Sequence, residues 1–259
     1  MISLLFDIFG LAALAALATA LVVTWIGRRL APPDHRGALV LPVAVAVGYF
    51  AGYAVLPRSW AALVLQANQA WQWLPYLGLL AGAMSTLTHS FPKSSAWRLA
   101  VWAVAPVVAA ALAPTWPVYG LSRQVLIGLI VVYLLVVGIP MQRLPARLFN
   151  LSFLGVLTAA ATLLALVTGA MQSLTLAQLA AIAAGALAGT TMACAVGPRP
   201  TDLSVRSLVP VFVALVGGAA VVVAVEPDPP QTGLLAIGLL PLAMWLMVAI
   251  PIRKAQVTA

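Results

Sequence analysis

The feature that most restricts this chain is a succession of apolar runs, each about as long as a bilayer is thick, with no Asp, Glu, Lys or Arg near their middles. A hydrocarbon core about 30 Å thick takes about 20 apolar residues to cross as a helix. Lipid offers backbone amides no partner, so runs of that length must close their hydrogen bonds on themselves as helices. Nine can be traced, approximately Ile2 to Ile26, Ala38 to Leu56, Leu74 to Thr88, Ala96 to Leu112, Val125 to Ile139, Leu148 to Ala170, Leu174 to Val196, Leu208 to Val225 and Gly233 to Ile252. From Trp60 to Trp73 the residues Gln66, Asn68, Gln69 and Gln72 interrupt Ala, Val and Leu, which predicts a short helix lying in the interface. Nine crossings use roughly 180 residues, so a chain of 259 keeps short connections. The expectation is an all-α polytopic bundle forming one transmembrane domain over residues 1–259, with no separate nucleotide-binding fold.

Only 7% of the residues are charged, against about 25% in an ordinary soluble domain. A net charge of +8 would suggest nucleic acid in a soluble protein; here the position of the charges argues otherwise. Cytoplasmic connections hold the excess of Lys and Arg. With nine spans, Arg28, Arg29, Arg36, Lys93, Arg98, Arg143, Arg147, Arg199, Arg206, Arg253 and Lys254 fall on one side, eleven of the thirteen basic residues. The other side receives Arg58 and Arg123 with Asp7, Glu226 and Asp228. Eight or ten spans would scramble this bias, and it predicts the N-terminus outside and the C-terminus in the cytoplasm of a bacterial-type inner membrane. The first run has no basic n-region and no small-residue cleavage site before Arg28, so it reads as a retained helix. Tyr53, Trp60, Trp71, Trp73, Tyr76, Trp116 and Tyr119 gather at predicted outer ends, where rings with a polar edge sit well at headgroup depth. They read as an interfacial belt or, more specifically, as an aromatic vestibule over the third span with Trp71 and Trp73 as its candidates.

Gly78-Leu79-Leu80-Ala81-Gly82 recurs as Gly185-Ala186-Leu187-Ala188-Gly189 at an offset of 107. Pro92-Lys93 corresponds to Pro198-Arg199, and Arg29-Leu30-Ala31-Pro32 resembles Arg143-Leu144-Pro145-Ala146 at an offset of 114. These matches predict a parallel internal repeat of four plus four spans, halves 1–120 and 121–230, with an extra helix over 231–259. Apolar segments share a small alphabet, and chance matching is the competing explanation. Parallel repeats are one way to build a transporter, with the substrate path between the halves. Pro106 and Pro210 take paired positions in the fourth and eighth spans, where each can act as a hinge.

Ionisable side chains at mid-membrane are functional by default, and this chain has none. All five acids, Asp7, Asp34, Asp202, Glu226 and Asp228, fall in connections or near a helix end. Proton coupling through a buried carboxylate and paired-carboxylate hydrolysis therefore lack their residues. His35 and His89 have no partner at metal-binding spacing, and His89 reads as a helix terminator. Cys194 has no neighbouring basic group in sequence to activate it, and no G-x-S-x-G, H-E-x-x-H or P-loop signature occurs. No enzyme activity, metal or cofactor is expected. Gly48 with Gly52, Gly78 with Gly82, and Gly185 with Gly189 put two glycines on one helix face, which lets another backbone approach. Thr158, Thr162, Thr190 and Thr191, together with Ser85, Thr86 and His89, form the candidate polar path; the alternative for the threonines is local bonding to their own helices.

These readings point to a small transport-type protein, a permease for a neutral, lipidic or amphipathic substrate. The alternative is a non-catalytic subunit or scaffold of a larger membrane complex. The expected partners are membrane lipids and, on the alternative, other membrane subunits.

Overall fold

The computed structural model describes residues 10–30, 39–56, 69–90, 102–145, 150–171, 173–197, 199–225 and 232–244, with the backbone alone at 88–90. Asp7, Asp34, His35, Arg36, Arg58, Trp60, Lys93, Arg98, Arg147, Glu226, Asp228, Arg253 and Lys254 lie outside the described residues. So does the His89 side chain.

All named elements are helical: α1 (Leu11–Leu30), α2 (Val40–Val55), a 3-10 turn (Ala70–Trp73), α3 (Leu74–Ser90), α4 (Val104–Leu112), α5 (Arg123–Met141), α6 (Asn150–Ala170), α7 (Leu174–Val196) and α8 (Asp202–Phe212). A π turn (Val213–Gly217) joins α8 to α9 (Gly218–Val225), and α10 (Leu235–Leu239) sits between two 3-10 turns. Among the described residues five helices are long and apolar enough to cross a membrane: α1, α5, α6, α7 and the continuous rod Asp202–Val225. The apolar segment Val40–Val55 is shorter.

Two boundaries differ from those expected. The first helix continues past Ile26 through Arg28 and Arg29 to Leu30; cations in a last turn face the orphan carbonyls, and the Arg29 guanidinium covers the Trp25 ring at 3.8 Å. The eighth begins at Asp202 rather than near Leu208. Thr201 Oγ1 accepts from the Ser204 amide at 3.3 Å, and Arg206 pairs with Asp202 one turn away at 3.0 Å. This cap starts the helix on polar residues ahead of the apolar run.

Small residues organise one half of the bundle. Ala12, Ala13, Ala16 and Ala20 line the buried face of α1, which packs on both α2 and α7. A Cβ on Gly52 would stand 2.7 Å from the Ala12 carbonyl oxygen, and one on Gly48 would stand 2.9 Å from that of Ala16. On α7, Gly185 and Gly189 bring their backbone against the Ala13 and Leu17 carbonyls. Only hydrogen fits at these contacts, so three backbones approach as closely as helices can. The rod α8–α9 runs through the centre against α2, α3 and α5 at one end and α4, α7 and α10 at the other. Its π turn is wholly buried. Tyr133 Oη on α5 donates to the Leu235 carbonyl at 3.0 Å, pinning α10.

The two matching glycine pairs serve different contacts. Gly185 and Gly189 face the backbone of α1, whereas Gly82 faces Pro42 and Ala46 of α2 and Gly78 meets the flexible Leu215 side chain of the π turn.

Candidate functional site

At one end of the bundle five chain segments enclose a cavity of about 660 Å³, within the range of small-molecule sites. The 3-10 turn contributes Gln69, Trp71 and Trp73, and the end of α4 with its following loop contributes residues 110–116. Arg123 opens α5, Ser173 and Thr175 open α7, and Val222 and Val225 close the rod.

Each wall has a local cause. Gln69 and Gln72 form a reciprocal cap: the Gln69 amide donates to Gln72 Oε1 at 3.1 Å, and the Gln69 side chain accepts from the backbone of Gln72. Trp71 Nε1 also donates to Gln69 Oε1, which fixes the indole with its polar edge satisfied. Trp71 leans on Tyr53 of α2, centroids 6.4 Å apart, and Trp73 meets Tyr76 edge to face at 6.3 Å. The loop after α4 reverses at Tyr119-Gly120, both with positive φ (54° and 71°), and the Leu121 amide donates to the Val118 carbonyl at 2.9 Å. Two successive positive φ values belong to a type I′ turn. This turn returns the chain to Ser122, whose Oγ caps α5, and leaves Trp116 60% exposed above the cavity.

Arg123 is the cation of the site. Its Nη2 donates to the Ala110 carbonyl at 3.2 Å, one of the last, otherwise orphan carbonyls of α4. A guanidinium has five N–H donors, so its charge stays available at the cavity wall. Beside this cavity lies an apolar groove of about 590 Å³ between α3 and α4. Trp73, Tyr76, Leu77 and Leu80 form one wall with the i, i+3, i+4, i+7 spacing of a helix face, and Pro106, Val107, Ala110 and Ala111 form the other. Trp73, Ala110 and Ala111 belong to both cavities.

The candidate threonines stand elsewhere. Thr158 Oγ1 donates to the Leu154 carbonyl at 2.9 Å, Thr162 to Thr158 at 2.9 Å, Thr190 to Ala186 at 3.0 Å and Thr191 to Leu187 at 2.8 Å. Thr158 and Thr191 also meet across α6 and α7 at 3.3 Å. None of the four lines either of these cavities. Ser85 is buried on α3, and Thr86 Oγ1 bonds back to Ala83 at 2.7 Å. Both sit toward the end of α3 remote from Trp73.

Arg123 was not among the candidate path residues. Its signal in the sequence was its side: it is one of two basic residues on the side that the charge bias keeps nearly free of them. Tyr49 on α2 gave no signal, and Tyr53 was expected in the interfacial belt; both are almost fully buried, with hydroxyls that have no hydrogen-bond partner among the described residues. Cys194 differs from the expectation that it lacks a basic neighbour. The fold brings Arg28 to it electrostatically, with Nη1 3.5 Å from where a Cβ on Gly197 would stand.

Among the described residues no three of His, Cys, Asp and Glu converge. The cavity offers indole, guanidinium, amide and hydroxyl groups, which suit recognition of an amphipathic molecule. No family model, curated protein or solved structure matches the chain.

Proposed function

We propose that this protein is a small membrane carrier that takes up an amphipathic molecule at the Trp71 end of the bundle. The observation that carries the proposal is the union of a polar, aromatic cavity with an apolar groove through Trp73, Ala110 and Ala111. A soluble substrate needs no such groove, and a purely apolar one needs no guanidinium at its mouth. The entry path in this reading is the vestibule over the third span, and the back-bonded threonines of α6 and α7 are packing groups.

The nine-span topology belongs to the same reading. The starts of α3, α5 and α7 and the ends of α4 and α9 all border one cavity, as strict alternation across a membrane requires, and the charge bias puts that end outside an inner membrane. The parallel repeat carries less of the argument, because its two glycine pairs meet different partners.

The test is reconstitution of the full chain into liposomes with single-chain lipids carrying a reducible fluorophore and a neutral, anionic or cationic head. A carrier exposes inner-leaflet label to an external membrane-impermeant reductant faster than protein-free liposomes do. Equal rates for all three probes with and without protein would reject it. The second reading, a non-catalytic subunit, is favoured by the exposed stripe Val125, Leu129, Val132, Val136 and Ile139 on α5. Native mass spectrometry of protein from its own membrane separates them, since a subunit retains a stoichiometric partner protein.

A further inference from the structure

We infer that the joined cavities hold an anionic amphipath that enters sideways from the surrounding leaflet, with its head at Arg123 and its apolar tail between α3 and α4. The inference rests on the amphipath-binding part of the reading above and adds the charge of the head and the direction of entry.

The sign of the head follows from the groups at the cavity mouth. Among the described residues Arg123 is the one charged side chain that lines the cavity, and no carboxylate lines it. Its bond to the Ala110 carbonyl leaves the planar fork with donors for an oxyanion, which guanidinium binds with two parallel N–H bonds. Gln69, Ser173 and Thr175 add uncharged polar groups to the same wall. A cationic head would meet a like charge here, and a neutral one would forgo the charge-assisted bonds that an oxyanion makes to this exposed guanidinium.

Entry from the side follows from the groove. Pro106, Val107 and Leu80 are exposed on its rim, so it opens on the face of the bundle that meets lipid. From Trp73 to Leu80 it extends roughly 10 Å along α3. The indole of Trp73, shared by both compartments, stands where head joins tail, and an amphipathic ring is suited to that depth.

The experiment uses the full chain in phosphatidylcholine nanodiscs, with alkyl sulfonate, alcohol and trimethylammonium of one chain length, each brominated on the chain close to the head, as probes and tryptophan fluorescence as readout. Bromine quenches nearby indoles. The sulfonate should quench saturably and bind about tenfold or more tightly than the alcohol, a difference of about 1.4 kcal/mol; the ammonium should be weakest. Arg123→Gln should reduce sulfonate affinity to that of the alcohol, Arg123→Lys should retain most of the preference, and Trp73→Phe should remove most of the saturable signal. Ethanesulfonate, a head without a tail, should not compete. Quenching that is linear and independent of the head would overturn the inference, because the groove then holds only bulk lipid. Competition by ethanesulfonate at equal concentration would also overturn it, because the ligand would then be a free anion. Saturable sulfonate binding without label transfer in liposomes would keep this inference and reject the carrier; transfer of all three probes without head preference would do the reverse.

Discussion

Replacing Gly185 by Ala tests the closest contact in the bundle. The new Cβ would fall on the Ala13 carbonyl oxygen and stand 3.1 Å from its carbon and 3.4 Å from its Cα. These are backbone atoms in the first turn of α1, so no side chain can swing aside and the backbone of α1 itself must shift. Overpacking of this kind costs typically 1–3 kcal/mol. Against it stands a gain of about 0.5–1 kcal/mol for alanine over glycine within a helix. The net expectation is a loss of up to about 2.5 kcal/mol. Gly155→Ala on α6 is the control, because nothing lies within 4 Å of the added methyl, and only the propensity gain of about 0.5–1 kcal/mol should remain. Gly189→Ala should resemble Gly185→Ala, and the double variant should lose less than the sum, since one displacement of α1 accommodates both methyls. Thermal unfolding in one detergent, followed by circular dichroism, measures all four. If Gly185→Ala is stabilised as much as Gly155→Ala, α1 and α7 do not touch through their backbones, and the packing argument is refuted.

Thr158→Val should cost no more than about 1 kcal/mol, because an interhelical hydrogen bond in membranes averages about 0.6 kcal/mol, and should leave label transfer in liposomes unchanged; a collapse of transfer would restore the threonines as the path. Tyr49→Phe removes a buried hydroxyl that has no partner, so unfolding should show stability kept or raised by about 1 kcal/mol or more; a clear loss would mean that a water or a ligand satisfies that hydroxyl. Gly120→Val should lower stability by about 1–3 kcal/mol through its positive φ, since no atom crowds the site, while Gly120→Asn should lose much less; equal losses would point to a steric cause instead.

Helix existence was legible because it follows from local apolar length alone. The seventh run, Leu174 to Val196, coincides with α7, and the third begins where α3 does. The start of the eighth was not, because Asp202 and Arg206 read as loop charges until the Thr201 cap and their mutual pairing are seen. Helix neighbours were not legible either. Glycine spacing identifies a face that can be approached, but it does not say that Gly185 meets α1 while Gly78 meets Leu215. The aromatic vestibule was partly visible in Trp71 and Trp73. Its cation was hidden, because Arg123 lies 50 residues along the chain from Trp73 and only tertiary packing joins them. Tryptophan clustering is a local signal, whereas a site assembled from five helix ends is not.

The central rod connects this site to the rest of the fold, and its π turn makes a separate prediction. Pro210 has no amide hydrogen to donate to the preceding turn, and three residues later the chain takes the wider i to i+5 pattern over Val213–Gly217. Beside this stretch, among Trp102, Leu134, Pro210 and Val213, is a void of about 10 Å³, the scale of a single water. A π turn holds one residue more than an α turn, so deletion of Ala214 converts it to α while both flanks keep their phase. Deletion of Val221 in regular helix instead rotates everything beyond it by about 100°. That rotation would turn Val222 and Val225 away from the cavity they line. The Ala214 deletion should therefore fold and retain saturable quenching by the sulfonate probe, while the Val221 deletion should lose it. Equal damage from both would show that the π turn is not a one-residue insertion in an otherwise continuous helix. Retention with the Val221 deletion would remove the end of the rod from the binding site.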